Sequence, residues 1–397
     1  MNKEIMVKLN DKSKSEIAKG YPLITKDSLE DSNALKEEGT LLKLTDKQGR
    51  FVAKGYYGNQ NKGVGWVLSR SEAEEIDQAF IERKLIEAMR RRRDFFNDTD
   101  TTAFRVFNGE GDGFGGVIID YYDGYFLVSW YSEGVYSFKE QLVAALHNVA
   151  EFKGIYEKKR FDTKGQYIED DDFVAGERGE FPLIVKENGV NFAVYLNDGA
   201  MTGIFLDQRE VRQAIKEKYA KGNTVLNTFS YTGAFSVAAA IGGADKTTSV
   251  DLAKRSNAKT IEQFSVNGID YESHDILVMD VFNYFKYAKR KELKFDVVIL
   301  DPPSFARSKK YTFSTSKDYT NLMKEAIAIT EDDGVIVAST NSASFGMKKF
   351  KGFIDKAFND LGKKYTIVEE YSLPPDFRVD PKFSEGNYLK VLFVKLR

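Results

Sequence analysis

The sequence predicts an α/β protein in which a doubly wound, mostly parallel sheet fills the C-terminal half. Two smaller units precede it. Three observations lead there. From about residue 181 onward, apolar strand-like runs alternate with helical patterns to the end of the chain. Several of these runs are continuously apolar, as strands covered on both faces must be. Before residue 181 the pattern is instead short runs divided by Asp, Gly and Asn turns. At 397 residues the chain is long enough for two or three domains, and 42% hydrophobic residues supply their cores.

Residues 1–71 read as a small β-rich unit, with runs at Leu41–Leu44, Phe51–Tyr57 and Gly65–Leu68. It holds 13 Lys/Arg against 9 Asp/Glu, a local +4 in a chain whose net charge is −2. Residues 72–96 read as one helix, with Ser71 and Glu74 as a capping box and Ile76, Phe80, Leu85 and Met89 as its apolar stripe. The helix ends in Arg90–Arg93, which suits either an RNA contact or a solvated, dipole-compensating C-terminus.

Residues 72–180 together form the second unit. Strands at Val117–Ile119 and Phe126–Trp130 flank an Asp123-Gly124 turn, and a helix spans about 136–150. Glu169–Asp172 is an acidic loop. Asn108-Gly-Glu-Gly-Asp-Gly113 lacks the acidic series and closing Glu of a calcium loop and reads as a turn.

In residues 181–397, strands are expected at Asn191–Leu196, Thr224–Leu226, Thr247–Val250, Ile276–Met279, Asp296–Leu300, Val335–Ala338, Thr366–Val368 and Tyr388–Leu396. Helices are expected near 208–220, 234–241, 252–266, 318–330 and 348–361.

Composition removes several chemistries. With no cysteine, disulfides, thiolate metal sites and thiol nucleophiles are excluded. With His147 and His274 alone, a three-histidine zinc site is excluded, and no metal is expected. The near-neutral balance argues against bulk-charge nucleic-acid binding but leaves a local patch open. The opening residues have no apolar core, and no run approaches the ~18 apolar residues of a membrane span. A cytoplasmic protein without a membrane partner is expected. The oligomeric state stays open, a homodimer included.

Ligands of doubly wound sheets sit beyond the carboxyl ends of the strands. After the first strand comes Asn227-Thr-Phe229-Ser230-Tyr231-Thr232-Gly233, after the second Asp251, after the third Asp280 and after the fourth Asp301-Pro302-Pro303-Ser304-Phe305. The first loop has one glycine and is too bulky for a dinucleotide's pyrophosphate. Asp251 lies about 20 residues past that loop, where a carboxylate takes ribose hydroxyls. A ribose acid beside a loop unsuited to phosphate points to a nucleoside cofactor without phosphates, such as S-adenosylmethionine, with Asp280 accepting from the adenine amine. An isolated Asp at a strand end is more often a helix N-cap; four consecutive strand ends in order carry more weight. In Asp301-Pro302-Pro303-Ser304-Phe305, two prolines remove two N–H donors, Phe305 offers a face for stacking a flipped base, and Asp301 an acceptor.

On these motifs, the segment from Asn191 onward resembles class I S-adenosylmethionine-dependent methyltransferases. With Asn108–Gly113, Gly203-Ile-Phe-Leu-Asp-Gln208-Arg209, Leu226–Phe235, Ser249–Asp251, Pro374–Arg378 and Glu385–Leu389, the whole chain resembles the bacterial large-subunit (23S) ribosomal-RNA methyltransferases that carry an N-terminal PUA domain. The resemblance implies an RNA-binding PUA fold over 1–71, a central α/β domain with a β-hairpin over 72–180, and a Rossmann-like, seven-stranded, mostly parallel domain over 181–397. It further implies Gln208 at the cofactor, Arg209 at the RNA, and large-subunit rRNA as the partner.

One departure is informative. Family members that methylate cytosine C5 place a cysteine after the fifth strand, to add at C6 of the base. Here Ser339-Thr-Asn341-Ser stands there, and Asn341 cannot add covalently. The Asp301–Lys309 stretch with Asn341 is similar to guanine-N7 methylating domains. N7 has a free lone pair and loses no proton, so positioning suffices. Arg307, Lys309 and Lys310 would steer the RNA. Exocyclic N6-adenine or N2-guanine methylation is the nearest alternative, cytosine C5 a further one, and a non-catalytic RNA-binding assembly factor the competitor from another class. The retained Asp251, Asp280 and Asp301 argue against the last.

Overall fold

The computed structural model describes residues 4–61, 63–161, 172–199, 201–307 and 312–397. They gather into two units. The first holds the chain up to Leu183 together with Tyr195–Thr202 and Pro375–Gly386; the second holds Ile184–Val194, Gly203–Pro374 and Asn387–Arg397.

The first unit contains two five-stranded sheets. One runs in the order Glu4–Lys8, Leu41–Thr45, Phe51–Gln60, Gly63–Ser69, Leu23–Ile24, and the three apolar runs expected from the sequence are its central strands. The other runs Phe173–Gly176, Gly154–Lys159, Tyr125–Trp130, Val117–Tyr122, Ala103–Asn108. Asp123 and Gly124 join two of its strands with φ of 46° and 99°, the paired positive values of a primed hairpin turn. The helices Gln78–Arg91 and Lys139–Val149 cover this sheet through Phe80, Ile81, Leu85, Leu142 and Leu146.

Two expectations here need correction. The helix expected over 72–96 starts at Gln78, not at 72, because Asp77 caps it by accepting from Phe80 N at 2.8 Å. Ser71 and Glu74 form no capping box; the Glu74 carboxylate instead takes the Ser69 hydroxyl. The helix also stops at Arg91, and Arg93–Phe96 is a separate short turn. The Asn108–Gly113 stretch is a 3-10 turn over Gly109–Asp112 closed by left-handed Gly113, and Asp112 is buried against Arg92.

The second unit is built on seven strands: β1 (Thr224–Thr228), β2 (Lys246–Asp251), β3 (Asp275–Val278), β4 (Phe295–Leu300), β5 (Thr330–Thr340), β6 (Tyr365–Tyr371) and β7 (Lys390–Leu396). Their order is β3-β2-β1-β4-β5-β7-β6, with β1 to β5 parallel and β7 antiparallel to both neighbours. The continuous apolar runs divide between two cores, because successive side chains leave opposite faces. Val225, Val297, Ile299 and Phe393 enter one, while Leu226, Val298, Leu300 and Leu392 enter the other. Helices α1 (Ala234–Ile241), α2 (Arg255–Ser265), α3 (Val281–Arg290), α4 (Thr315–Ala328) and α5 (Met347–Asp360) fill the connections. The sequence reading missed α3. The expected strand at 191–196 is Val190–Val194, and it pairs with Leu183–Glu187 in a separate ribbon, outside the main sheet. Among the described residues no helix is long and apolar enough to cross a membrane.

Candidate active site at the carboxyl ends of the strands

Because β1 to β4 are parallel, their carboxyl ends open on one side. β1 leads into Phe229–Gly233, where Phe229, Tyr231 and Gly233 take φ of 54°, 52° and 78°. Two of the three are non-glycine residues in left-handed conformation, a cost kept only where the surroundings over-determine it. Those surroundings are specific. Ser230 N donates to Val250 O at 3.1 Å, Tyr231 N to Asp251 Oδ2 at 2.9 Å, and Thr232 Oγ1 to Gly203 O at 2.6 Å. A side chain at Gly233 would put its Cβ 2.5 Å from Thr260. Asn227, the next-to-last residue of β1, is buried; its amide nitrogen donates to Ser236 Oγ at 3.0 Å and its oxygen has no partner.

Asp251, at the end of β2, also accepts from Ala253 N at 2.8 Å. Asp280, after β3, caps α3 by accepting from Asn283 N at 3.0 Å. The N-cap reading of Asp280 is thus correct as far as it goes, and the same residue also faces the cavity.

That cavity measures about 390 Å³. Of the residues singled out from the sequence, Gln208, Phe229, Ser230, Tyr231, Asp251, Asp280, Asp301, Pro302, Pro303 and Asn341 line it. Asn227, Thr232 and Gly233 instead shape the loop, and neither histidine lines the cavity. The sequence reading missed several lining residues: Phe205, Asp207, Arg212, Phe235, Leu252, Phe282 and Phe313. Leu252 and Phe282 had a signal, an apolar residue within two positions of a strand-end acid. Arg212 had none, because its burial depends on a fork-to-fork pair with Glu187, 2.7 Å on both arms.

Asp301 sits at the end of β4. Gln208 Nε2 donates to its Oδ1 at 3.2 Å and to Ser339 Oγ at 2.9 Å, while Gln208 Oε1 is buried without a partner. Burial raises the Asp301 carboxyl to about 6, with the Ser339 hydroxyl bonded to it opposing the rise and the Asp207 carboxylate adding to it. Ser304 Oγ donates to Asn341 Oδ1 at 2.6 Å, tying the Pro-Pro loop to the end of β5. Phe305 begins a short strand, Phe305–Arg307, paired with Thr312–Ser314, and is 62% exposed. The Arg307 side chain, Lys309 and Lys310 lie outside the described residues. Arg209 requires correction: its side chain is 2% exposed, so it cannot present a guanidinium to an RNA phosphate.

The donor set suits a cationic nucleoside without phosphates. Among the described residues, four carboxylates (Asp207, Asp251, Asp280, Asp301) and several aromatic rings line the cavity, and the one arginine there is already neutralised by Glu187. The unpartnered Gln208 oxygen adds an acceptor for an ammonium group. S-adenosylmethionine, with a ribose, an adenine, an ammonium and a sulfonium, fits these groups. Asp251 could hold its ribose and Asp280 its adenine amine.

A family profile described as S-adenosylmethionine-dependent methyltransferase matches residues 112–394, and a PUA-like domain profile matches residues 7–70. A Bacillus subtilis protein, YwbD, provisionally named a ribosomal RNA large subunit methyltransferase, is 65% identical over 383 residues, covering 96% of this chain and 97% of its own. The ribosomal RNA large subunit methyltransferase I of Klebsiella pneumoniae is 31% identical, covering 89% of this chain and 88% of its own. Among solved structures, SMU.776, provisionally named a methyltransferase and complexed with SAH, superposes with a TM-score of 0.90 at 40% identity, covering 99% of this chain and 100% of its own. A related Streptococcus mutans structure gives 0.89 at 39% identity, covering 98% of this chain and 100% of its own. With the strand-end acids, the non-phosphate loop and the cavity already in place, these matches establish that the chain belongs to the S-adenosylmethionine-dependent methyltransferases and carries a PUA-like domain at its N-terminal end.

Proposed function

We propose that the chain methylates N7 of a guanine in large-subunit ribosomal RNA, in the cytoplasm. In this reading residues 1–71 bind RNA, 72–180 form the central α/β domain, and 181–397 carry the chemistry. The observation that carries it is the rim of the cavity: Asp301-Pro302-Pro303 lines it, Phe305 stands exposed beside it, Asn341 closes it, and no cysteine exists in the chain to activate a pyrimidine C5. The relatives named as large-subunit rRNA methyltransferases support the substrate class, and their printed names specify no base or atom.

The bound cofactor would supply an electrophilic methyl carbon on a sulfonium. The chain's own residues then have a positioning task. Phe305 offers a stacking face to an extruded base. The Asp301 carboxylate accepts from the N1–H and N2–H of guanine, donors on the edge away from N7. The Ser304 bond occupies the Asn341 oxygen, so its amide NH₂ is left to donate to O6. None of these residues needs to remove a proton, because N7 carries none.

Incubating unmodified large-subunit rRNA with enzyme and cofactor is expected to create a site that reduction and aniline cleave, since N7-methylguanine is cationic and labile. Nucleoside mass spectrometry is expected to identify 7-methylguanosine. Transfer without an aniline-sensitive site would move the target to an exocyclic amine, and recovery of 5-methylcytosine would overturn the reading of Asn341. No transfer at all would leave a non-catalytic RNA-binding role.

The cofactor assignment has its own test. Asp251→Ala is expected to weaken S-adenosylmethionine binding by about fivefold to 150-fold, from ~1–3 kcal/mol of lost hydroxyl acceptance. Calorimetry showing unchanged affinity would remove Asp251 from the ribose site.

A further inference from the structure

Immediately beyond Asn341 the chain is unusual in charge. From Thr340 to Ile354 it contains Lys348, Lys349 and Lys351 and no acidic residue. Lys351 is paired with Glu370, but Lys348 and Lys349, exposed in the first turn of α5, are not ion-paired among the described residues. A third lysine lies close by. Lys390 opens β7 directly opposite Thr340, the residue before Asn341. It is 4% exposed, donates to Tyr388 O at 2.7 Å and has no carboxylate partner among the described residues. Lys349 and Lys390 both approach the Phe345 ring, with Nζ 5.8 and 5.7 Å from its centroid. The buried Phe345 ring therefore organises two uncompensated cations.

A buried ammonium with no counter-ion among the described residues is costly. Burial lowers the Lys390 pKa, and no acid opposes it. An anion approaching from solvent would supply the missing counter-charge. Asn341, which lines the cavity, follows Thr340, the strand partner of Lys390, and a base reaching the cavity brings its own phosphodiesters with it. Lysines without carboxylate partners are also the ones that release counterions when RNA binds.

We propose that Lys348 and Lys349, backed by Lys390 across the Phe345 ring, hold the RNA backbone phosphates flanking the target nucleotide. This rests on the RNA reading above. It assigns a backbone contact within the second unit, separate from any affinity supplied by the PUA-like domain.

The test compares the full-length wild type with Lys348→Glu/Lys349→Glu and with Lys348→Arg/Lys349→Arg on unmodified large-subunit rRNA across a salt series. The Glu variant is expected to bind RNA at least tenfold more weakly, and its log Kd against log salt slope is expected to fall by about 1.4, from two contacts of ~0.7 each. The Arg variant is expected to match the wild type, and S-adenosylmethionine affinity to stay the same in all three. Both exposed lysines can be replaced without disturbing the core. A Glu variant with unchanged RNA affinity and slope, beside a wild type that still methylates rRNA, would overturn this proposal alone. A wild type that neither binds nor methylates rRNA would overturn the reading beneath it as well. Inorganic phosphate is expected not to compete at concentrations matching the RNA phosphate; effective competition would mark a free-anion site and also overturn it.

Discussion

Asp301→Asn is expected to lower the methyl-transfer rate by about hundredfold or more while making the folded protein more stable at neutral pH. The two effects share one cause. The carboxylate is held between Gln208 and Ser339 with Asp207 nearby, and burial lifts its pKa to about 6 from an ordinary 3.8. Asparagine keeps the shape and one acceptor but loses the charge, and its NH₂ would meet the N–H donors of guanine. An electrostatic contact of this kind in a water-poor site is worth about 10²–10³ in rate. Single-turnover transfer is the measurement, because it separates chemistry from release. An Asn variant that transfers methyl groups as fast as the wild type would remove Asp301 from the base-holding role.

The sign of the pH dependence follows from the same shift. A carboxyl whose folded pKa lies above its unfolded value stabilises the fold fully below the unfolded pKa, and that contribution is lost as pH rises through the folded value. The window here runs from about 3.8 to about 6. Above it the ionised form costs about 3 kcal/mol, from roughly two pKa units at 1.36 kcal/mol each. The stabilisation from Asp301→Asn is therefore expected to be present at pH 7 and gone near pH 4, as read by calorimetric unfolding. Activity moves the other way: transfer is expected to rise with pH through about 6 and level off above it, since the acceptor is the carboxylate. A pH-independent rate between 5 and 7 would contradict this.

What could be read in advance from the chain divides along a physical line. Continuous apolar runs located β4 and β5 because a strand buried on both faces has little freedom in composition, whereas β1 and β2 were legible as short β-branched runs ending in a polar loop or an acid. α1 was placed at its observed bounds, Ala234–Ile241, between Gly233 and Gly242. α3 went unread although Val281, Tyr284, Phe285 and Ala288 keep helical spacing, because aromatic residues read equally as a strand. Ser71 and Glu74 match a capping pattern, yet Asp77 lies nearer the apolar stripe and caps the helix. Strand-end acids were legible because topology puts every parallel strand end on one side. Arg209 and Arg212 were not: one looked available for RNA and the other went unremarked, and both are buried by contacts that local sequence does not encode. Phe313 reaches the cavity from Thr312–Ser314, the strand that pairs back onto the one after the Pro-Pro loop, a return that no periodicity predicts.

Arg92→Ala is expected to destabilise the first unit by about 3–5 kcal/mol, the range for breaking a buried ion pair from one side. The four-arginine run offered two readings, RNA contact or solvated helix end, and Arg92 follows neither. Its side chain is 2% exposed, and its partner Asp112 is 0% exposed. All five guanidinium N–H groups are used. Nη1 donates to Ala88 O at 3.1 Å and Asp112 Oδ1 at 3.0 Å, Nη2 to Asp112 Oδ2 at 2.7 Å and Asp376 O at 2.6 Å, and Nε to Asp376 O at 3.0 Å. The arginine thereby fixes the Asn108–Gly113 turn and anchors the Pro375–Gly386 segment, whose Asp376 carboxylate also accepts from Arg105 N at 2.9 Å. Lysine cannot substitute, having three donors at a point in place of a planar fork, so Arg92→Lys is expected to lose most of the same stability. Arg93→Ala, which removes the exposed pair with Asp94, is expected to cost about 1 kcal/mol or less. The measurement is convenient, because both tryptophans, Trp66 and Trp130, lie in the first unit and report its unfolding in urea by fluorescence. A double replacement of Arg92 and Asp112 by apolar residues is expected to recover part of the loss, since it leaves no unpaired buried charge. If Arg92→Ala shifts that transition no further than Arg93→Ala does, the buried fork is not what holds these segments together.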